Sequence, residues 1–132
     1  MNARNTKRDS RRELDKIGKN AFACIKEMVD ALEAHPENED AREAIEQDAL
    51  SIEVRSDWYT PGHTHHGASE FRILLSTGGP ATRIIGELDR GEPTKAHLEV
   101  QDWFTPWTEY AQADEDVLLA YARVFYFGRG WI

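Results

Sequence analysis

The stretch IEVRSDWYTP, residues 52–61, returns in shorter form as LEVQDWFTP at residues 98–106. In each copy apolar and polar residues alternate, which predicts a β-strand with one buried face. The proline at the end of each copy lacks a backbone donor and disfavours helix at the residue before it, so each strand ends there. Two copies are too few for a repeat architecture, which needs at least roughly three stacked units. The copies therefore predict two similar strand exits that are rich in aromatic residues.

Two further strands lie between the copies, which gives four predicted strands at residues 50–55, 70–76, 81–88 and 96–101. The links at 77–80 and 89–93 are short and contain glycine and proline. Short links imply antiparallel neighbours, because parallel strands need a crossover of a dozen or more residues. We therefore expect a four-stranded antiparallel meander. Its inward rows are predicted to be Leu50, Ile52 and Val54; Phe71, Ile73 and Leu75; Ile84, Gly86 and Leu88; and Ala96, Leu98 and Val100.

Helices are predicted before and after the strands in the sequence. A long amphipathic helix is expected over residues 10–33, with Ser10 as its N-cap and Glu13 completing a capping box. Gly18 lowers its helix propensity by about 1 kcal/mol relative to alanine. A short helix is expected over residues 41–47, and a C-terminal helix between an Asp114 N-cap and a stop at Gly128. The apolar stripe of the long helix is Leu14, Ile17, Ala21, Cys24, Ile25, Met28, Val29 and Leu32.

These elements predict an α+β fold in which the long N-terminal helix and the C-terminal helix cover one face of the meander. Residues 10–132 are expected to form a single domain, and residues 1–9 a basic, flexible leader. The lone cysteine, Cys24, is expected to be a core residue, and it cannot form an internal disulfide or a cysteine-based metal site. A cytoplasmic setting is the simplest expectation, because no apolar signal segment or membrane-spanning run is present.

Charge is divided unevenly along the chain. Residues 1–20 hold seven Lys or Arg against three acids, a net charge of +4. Because the whole chain has a net charge of −8, the remaining residues carry a net of −12. An acidic body repels nucleic acid and attracts basic protein surfaces, so direct nucleic-acid binding is not expected. The alternative is a DNA-associated regulator whose basic leader contacts phosphate.

Histidines offer the one candidate metal site, at His63, His65 and His66. A closed zinc site takes about four ligands, and this loop supplies three at most between two glycines. A metal-binding protein or metalloenzyme is therefore the alternative, and we expect no cofactor. Asp57 and Asp102 follow strands that run in opposite directions, which argues against a catalytic dyad. No nucleophile motif is present, so the chain is interpreted as a non-enzyme.

Two sets of residues are candidates for binding a partner. Aromatic rings at the strand exits are of the types enriched at interface hot spots, and acids between the first two helices would steer the chain toward a basic surface. The N-terminal helix also offers a surface for a homodimer. The candidate binding residues are Trp58, Tyr59, Trp103, Phe104 and Trp107 at the exits, and Glu37, Glu39, Asp40 and Glu43 near the second helix.

Several short stretches together resemble a family of small uncharacterised proteins carried by phages, prophages and plasmids of proteobacteria. They are EVRS at 53–56, WYTPG at 58–62, EFRILL at 70–75, TGGPA at 77–81, GELD at 86–89, QDWFTPWT at 101–108 and FYFG at 125–128. The family carries no established activity, so no site residue is transferred. The resemblance implies an accessory protein of a mobile element, and small acidic accessory proteins of this kind often block host defence, as anti-CRISPR proteins do.

Overall fold

Five antiparallel strands and three helices make up the described part of the chain, residues 3–63 and 67–128 of a computed structural model. The strands form one sheet in the order β1-β2-β3-β4-β5, which is also their order in the chain. The elements are α1 Ala3–Ala34, α2 Glu39–Asp48, β1 Ser51–Arg55, β2 Glu70–Ser76, β3 Ala81–Asp89, β4 Glu92–Gln101, β5 Thr108–Glu109 and α3 Glu115–Ala122. The predicted α+β class and the antiparallel meander are confirmed.

The strand count differs from the prediction because β5 adds a fifth strand. It pairs Thr108 with Val100 and Glu109 with Glu99, and its two residues are too few to show any alternation in the sequence. β4 begins at Glu92, earlier than predicted. Arg90 and Gly91 link it to β3, with φ angles of 53° and 83°. Two positive φ values in succession are what a two-residue hairpin turn of type I′ requires.

Helix ends also differ from the sequence prediction. α1 begins at Ala3 and not at Ser10, so Ser10 is not an N-cap and the helix overlaps the predicted leader. α3 ends at Ala122, before the predicted stop at Gly128. Its N-cap is Asp114, as predicted, and the Asp114 carboxylate accepts a hydrogen bond from the Asp116 backbone N–H at 2.9 Å.

The hydrophobic core lies between the middle strands and the helices. Phe71, Ile73, Ile84, Leu98, Val100, Ile25, Val29, Ile45, Leu118 and Tyr121 are fully buried. The Tyr121 hydroxyl donates to Asp48 Oδ2 at 2.6 Å, which joins α3 to the end of α2. Burial, and secondarily this hydrogen bond, raises the pKa of the Tyr121 phenol well above its ordinary value.

The predicted buried face of β1 is wrong. Leu50, Ile52 and Val54 are 59%, 37% and 46% exposed, and every residue of β1 is exposed. The reason is where the helices lie: α1 packs on β3 and β4 and α3 packs on β4, whereas β1 lies at the edge of the sheet. Cys24 is likewise exposed, so its predicted place in the core is wrong as well. The apolar stripe of α1 is therefore wider than the part of the helix surface that is buried.

Candidate partner-binding site

The two aromatic exits lie at opposite ends of the sheet. Arg55 at the end of β1 pairs with Glu70 at the start of β2, whereas Gln101 at the end of β4 pairs with Ala81 at the start of β3. The antiparallel order therefore sends the two strands out in opposite directions, as the sequence predicted. The candidate rings fall into two groups, the β1 exit with Trp58 and Tyr59 and the β4 exit with Trp103, Phe104 and Trp107.

Hydrogen bonds within the β4 exit hold its backbone in a fixed turn. The Asp102 backbone N–H donates to Thr105 Oγ1 at 2.9 Å, and Asp102 Oδ1 accepts from the Trp103 N–H at 2.8 Å. The Thr108 hydroxyl donates to the Pro106 carbonyl at 3.0 Å. This turn directs two large rings outward, with Trp103 73% and Phe104 98% exposed.

One side of the Trp103 ring packs against backbone, although most of the ring is exposed. The indole lies so close to the backbone of Gly79, in the link between β2 and β3, that a Cβ at Gly79 would overlap the indole nitrogen. Glycine at this position is therefore needed for the close approach of the ring. The contact positions Trp103 while most of its surface remains open to solvent.

Trp107 is the partly covered member of the β4 exit. The guanidinium carbon of Arg83 lies 4.0 Å from the centroid of the Trp107 ring, within the range of a cation–π contact. Arg83 Nε also donates to Glu99 Oε1 at 2.7 Å, and Glu99 Oε2 lies 3.1 Å from His97 Nε2. Trp107 is half-buried, so it has less surface to offer a partner than Trp103 and Phe104.

The β1 exit and the histidine loop are contiguous in the chain. Trp58 is fully exposed and Tyr59 is exposed. His63 is also exposed, and its backbone N–H donates to the Thr60 carbonyl at 3.1 Å. His65 and His66 lie outside the described residues. Within residues 3–63 and 67–128, no three His, Cys, Asp or Glu side chains are placed to hold a metal ion.

The candidate acids lie in the helix layer. Glu39 and Asp40 form the first turn of α2, where the helix dipole favours negative charge, and Asn38 caps that turn by accepting from the Asp40 N–H at 2.9 Å. Glu37 and Glu43 flank the same turn, and all four acids are exposed. α2 packs on α1, so these acids belong to the helix layer and not to the two aromatic exits.

The sheet face opposite the helices carries a set of ion pairs that the sequence analysis missed. Glu53 Oε1 lies 2.7 Å from Arg72 Nη2, Arg55 pairs with Glu70, Arg83 with Glu99, and Lys95 with Glu87. Each pair joins residues opposite each other on neighbouring strands. The signal was available in principle, because the outward positions of the alternating strands hold opposite charges. Only the strand register, however, shows which charges meet.

No helix in the described ranges is long and apolar enough to cross a membrane. Comparison of the chain with protein-family models, characterised proteins and solved structures finds no match.

Proposed function

We propose that this chain is a non-catalytic protein that binds a basic surface of a host protein or nucleoprotein complex and inhibits or modulates that complex. The observation that carries the proposal is the pair of large rings, Trp103 and Phe104, held outward on a hydrogen-bonded turn. The resemblance to accessory proteins of mobile elements favours a host defence complex as the target, as for anti-CRISPR proteins.

Preorganisation is the reason for choosing the β4 exit over the β1 exit. Ordering a mobile side chain on binding costs about 0.5–1.5 kcal/mol, and a ring that is already positioned avoids part of that cost. Trp103 is positioned by the Gly79 backbone, and the turn that carries both rings is fixed by Asp102 and Thr105. Tryptophan is also among the residue types that dominate alanine scans of interfaces.

Charge supplies the second part of the proposal. The chain carries −8 overall, with a net of +4 in the first twenty residues and −12 in the remainder. Such a surface raises the rate of encounter with a basic partner, and the effect is screened over a Debye length of about 8–10 Å near physiological salt. The exposed acids of α2, Glu39 and Asp40 among them, contribute to encounter, whereas the rings determine residence time.

The experiment is a pull-down of the tagged protein from its bacterial host, followed by affinity measurements with the purified partner. Phe104→Ala is expected to weaken binding by about 2 kcal/mol or more, roughly thirtyfold, through a faster off-rate. Trp58→Ala removes an equally exposed ring at the other exit and is the matched control, with an expected change of less than about threefold. Raising salt toward physiological strength should slow association with the parent protein.

Two results would contradict the choice of anchor, and a third would contradict the proposal of a protein partner. Unchanged binding by Phe104→Ala and by Trp103→Ala would exclude the β4 exit as the anchor. A loss confined to Trp58→Ala would move the anchor to the β1 exit. If the chain bound duplex DNA more tightly than any protein, and lost that binding on deletion of residues 1–12, the alternative of a DNA-associated regulator would be favoured.

A further inference from the structure

β1 is an edge strand with an unusual combination of features. In the described part of the chain, β2 is the one strand that pairs with it, so the outer side of β1 presents backbone groups with no strand beside them. Proteins usually blunt such an edge with very short strands, prolines, charged side chains or inward charges, because an open edge pairs with other chains. The two charged side chains of β1, Glu53 and Arg55, are each paired with a residue of β2. The opposite edge of this sheet, β5, is two residues long. β1 has five residues and no proline.

An apolar row accompanies this open edge. Ile52 lies opposite Ile73, and Val54 lies opposite Phe71. Residues opposite each other in an antiparallel pair share one face of the sheet, so Ile52 and Val54 lie on the face of the buried Ile73 and Phe71. The core face of the sheet therefore continues to its edge as apolar surface that the helices leave exposed.

We propose that β1 pairs, antiparallel, with β1 of a second copy of this chain, in a two-fold arrangement centred on Val54. This register places Val54 against Val54 on the core face. On the opposite face it places Glu53 of each copy against Arg55 of the other. A two-fold interface must be self-complementary, and this register makes it so in both packing and charge.

Neighbouring ion pairs extend the complementarity beyond the two edge strands. Glu53 already pairs with Arg72, and Arg55 with Glu70, on the sheet face away from the helices. Across the joined sheets the charges would alternate as Arg72, Glu53, then Arg55 and Glu70 of the second copy. Centring the pair on Glu53 would instead place like charges directly opposite each other, which destabilises strand pairing. Charge thus favours a second copy as the occupant, and it favours this register over the one centred on Glu53.

The test begins with the full chain at increasing concentration, with mass measured by sedimentation velocity. A reversible monomer–dimer equilibrium is expected. Glu53→Arg sets two arginines of one copy against two of the other, and Arg55→Glu does the same with glutamates, so each variant should weaken self-association at least tenfold. Both side chains are exposed, so folding should be retained and is checked by circular dichroism. Glu46→Arg, the same charge change at an exposed position on α2, is the matched control and should leave the dimer intact.

Mixing the two variants gives the decisive result. Glu53→Arg and Arg55→Glu together restore opposite charges at every position of the proposed register, so the mixture should form heterodimers that neither variant forms alone. Such rescue would not arise from a dimer made through α1. A parent protein that stays monomeric at every concentration, a dimer indifferent to both substitutions, or a mixture that stays monomeric would each overturn the proposal. The proposal would also be overturned if the full chain stayed monomeric and a variant without residues 129–132 formed the dimer. That result would mean that these last residues occupy the apolar row in the full chain.

Discussion

β1 and β4 contain nearly the same residues, IEV at 52–54 and LEV at 98–100, and lie in opposite environments. Ile52 and Val54 are exposed, whereas Leu98 and Val100 are buried to 0% and 1%. β4 has β3 and β5 on its two sides and α1 and α3 over its core face. Among the described residues, β1 has one neighbouring strand, β2, and it lies beyond the helices. The alternation of residues produces a strand in both places, and the neighbours that the topology supplies decide whether its apolar face is buried.

The two exits repeat the contrast at the next residues of each copy. After β4, Trp103 lies against Gly79 and Trp107 lies under Arg83, because the start of β3 is adjacent. After β1, Trp58 is fully exposed. The same Asp-Trp-aromatic-Thr-Pro order thus gives a tryptophan that packs on backbone at one end of the sheet and a fully exposed tryptophan at the other. This difference is why the proposed function rests on the β4 exit.

The largest expected effect comes from truncating equivalent residues of the two strands. Leu98→Ala should lower the free energy of unfolding by about 3–5 kcal/mol, since Leu98 is fully buried and its removal leaves a cavity. Ile52→Ala should cost less than about 1.5 kcal/mol, because the side chain is already partly hydrated. Urea denaturation of dilute, monomeric protein measures both. Equal losses at the two positions would show that β1 is covered in solution and would remove the contrast.

A smaller effect is expected from Tyr121, whose hydroxyl joins α3 to the end of α2. Tyr121→Phe removes the hydrogen bond that the buried phenol donates to the charged carboxylate of Asp48, so stability should fall by about 1–3 kcal/mol. Tyr126→Phe, at an exposed ring, is the matched control and should change stability by less than about 0.5 kcal/mol.

The raised pKa of Tyr121 predicts how the stability difference between the parent and Tyr121→Phe depends on pH. The folded chain keeps the phenol proton at pH values where the unfolded chain, whose tyrosine pKa is about 10, releases it. The stability that Tyr121 contributes is therefore complete below about pH 10 and is lost as the pH rises above that value. The gap between the parent and Tyr121→Phe should narrow in alkaline solution. A gap that widens above pH 10 would contradict the assignment of the phenol as a buried donor.

Much of the fold could be predicted because its signals are local. The alternation in β2 to β4, the short links and the Asp114 cap each lie within a few residues of sequence. β5 could not be predicted, because two residues have no period. The exposure of β1 and the cover of Trp107 by Arg83 depend on which elements become neighbours. The candidate rings were therefore identifiable as a set, whereas their ranking required the strand register.

Gly18 gives the smallest expected effect and tests how closely α1 approaches the β4 side of the sheet. Helix propensity alone predicts that Gly18→Ala would stabilise α1 by about 1 kcal/mol. In the folded chain, however, a Cβ at Gly18 would overlap the ring of Tyr110, whose backbone N–H donates to the Leu98 carbonyl at 2.8 Å. Overpacking of this kind costs about 1–3 kcal/mol, so the net change should be a loss of about 1 kcal/mol. In a Tyr110→Ala background the overlapping ring atoms are gone and only the Cβ of residue 110 remains close to position 18, so the same Gly18→Ala change should cost clearly less than in the parent. Urea denaturation of the four proteins in this cycle gives the coupling directly. A stabilising Gly18→Ala in the parent background would mean that the Tyr110 ring moves aside at little cost, and that α1 is held over β4 less tightly than the contact implies.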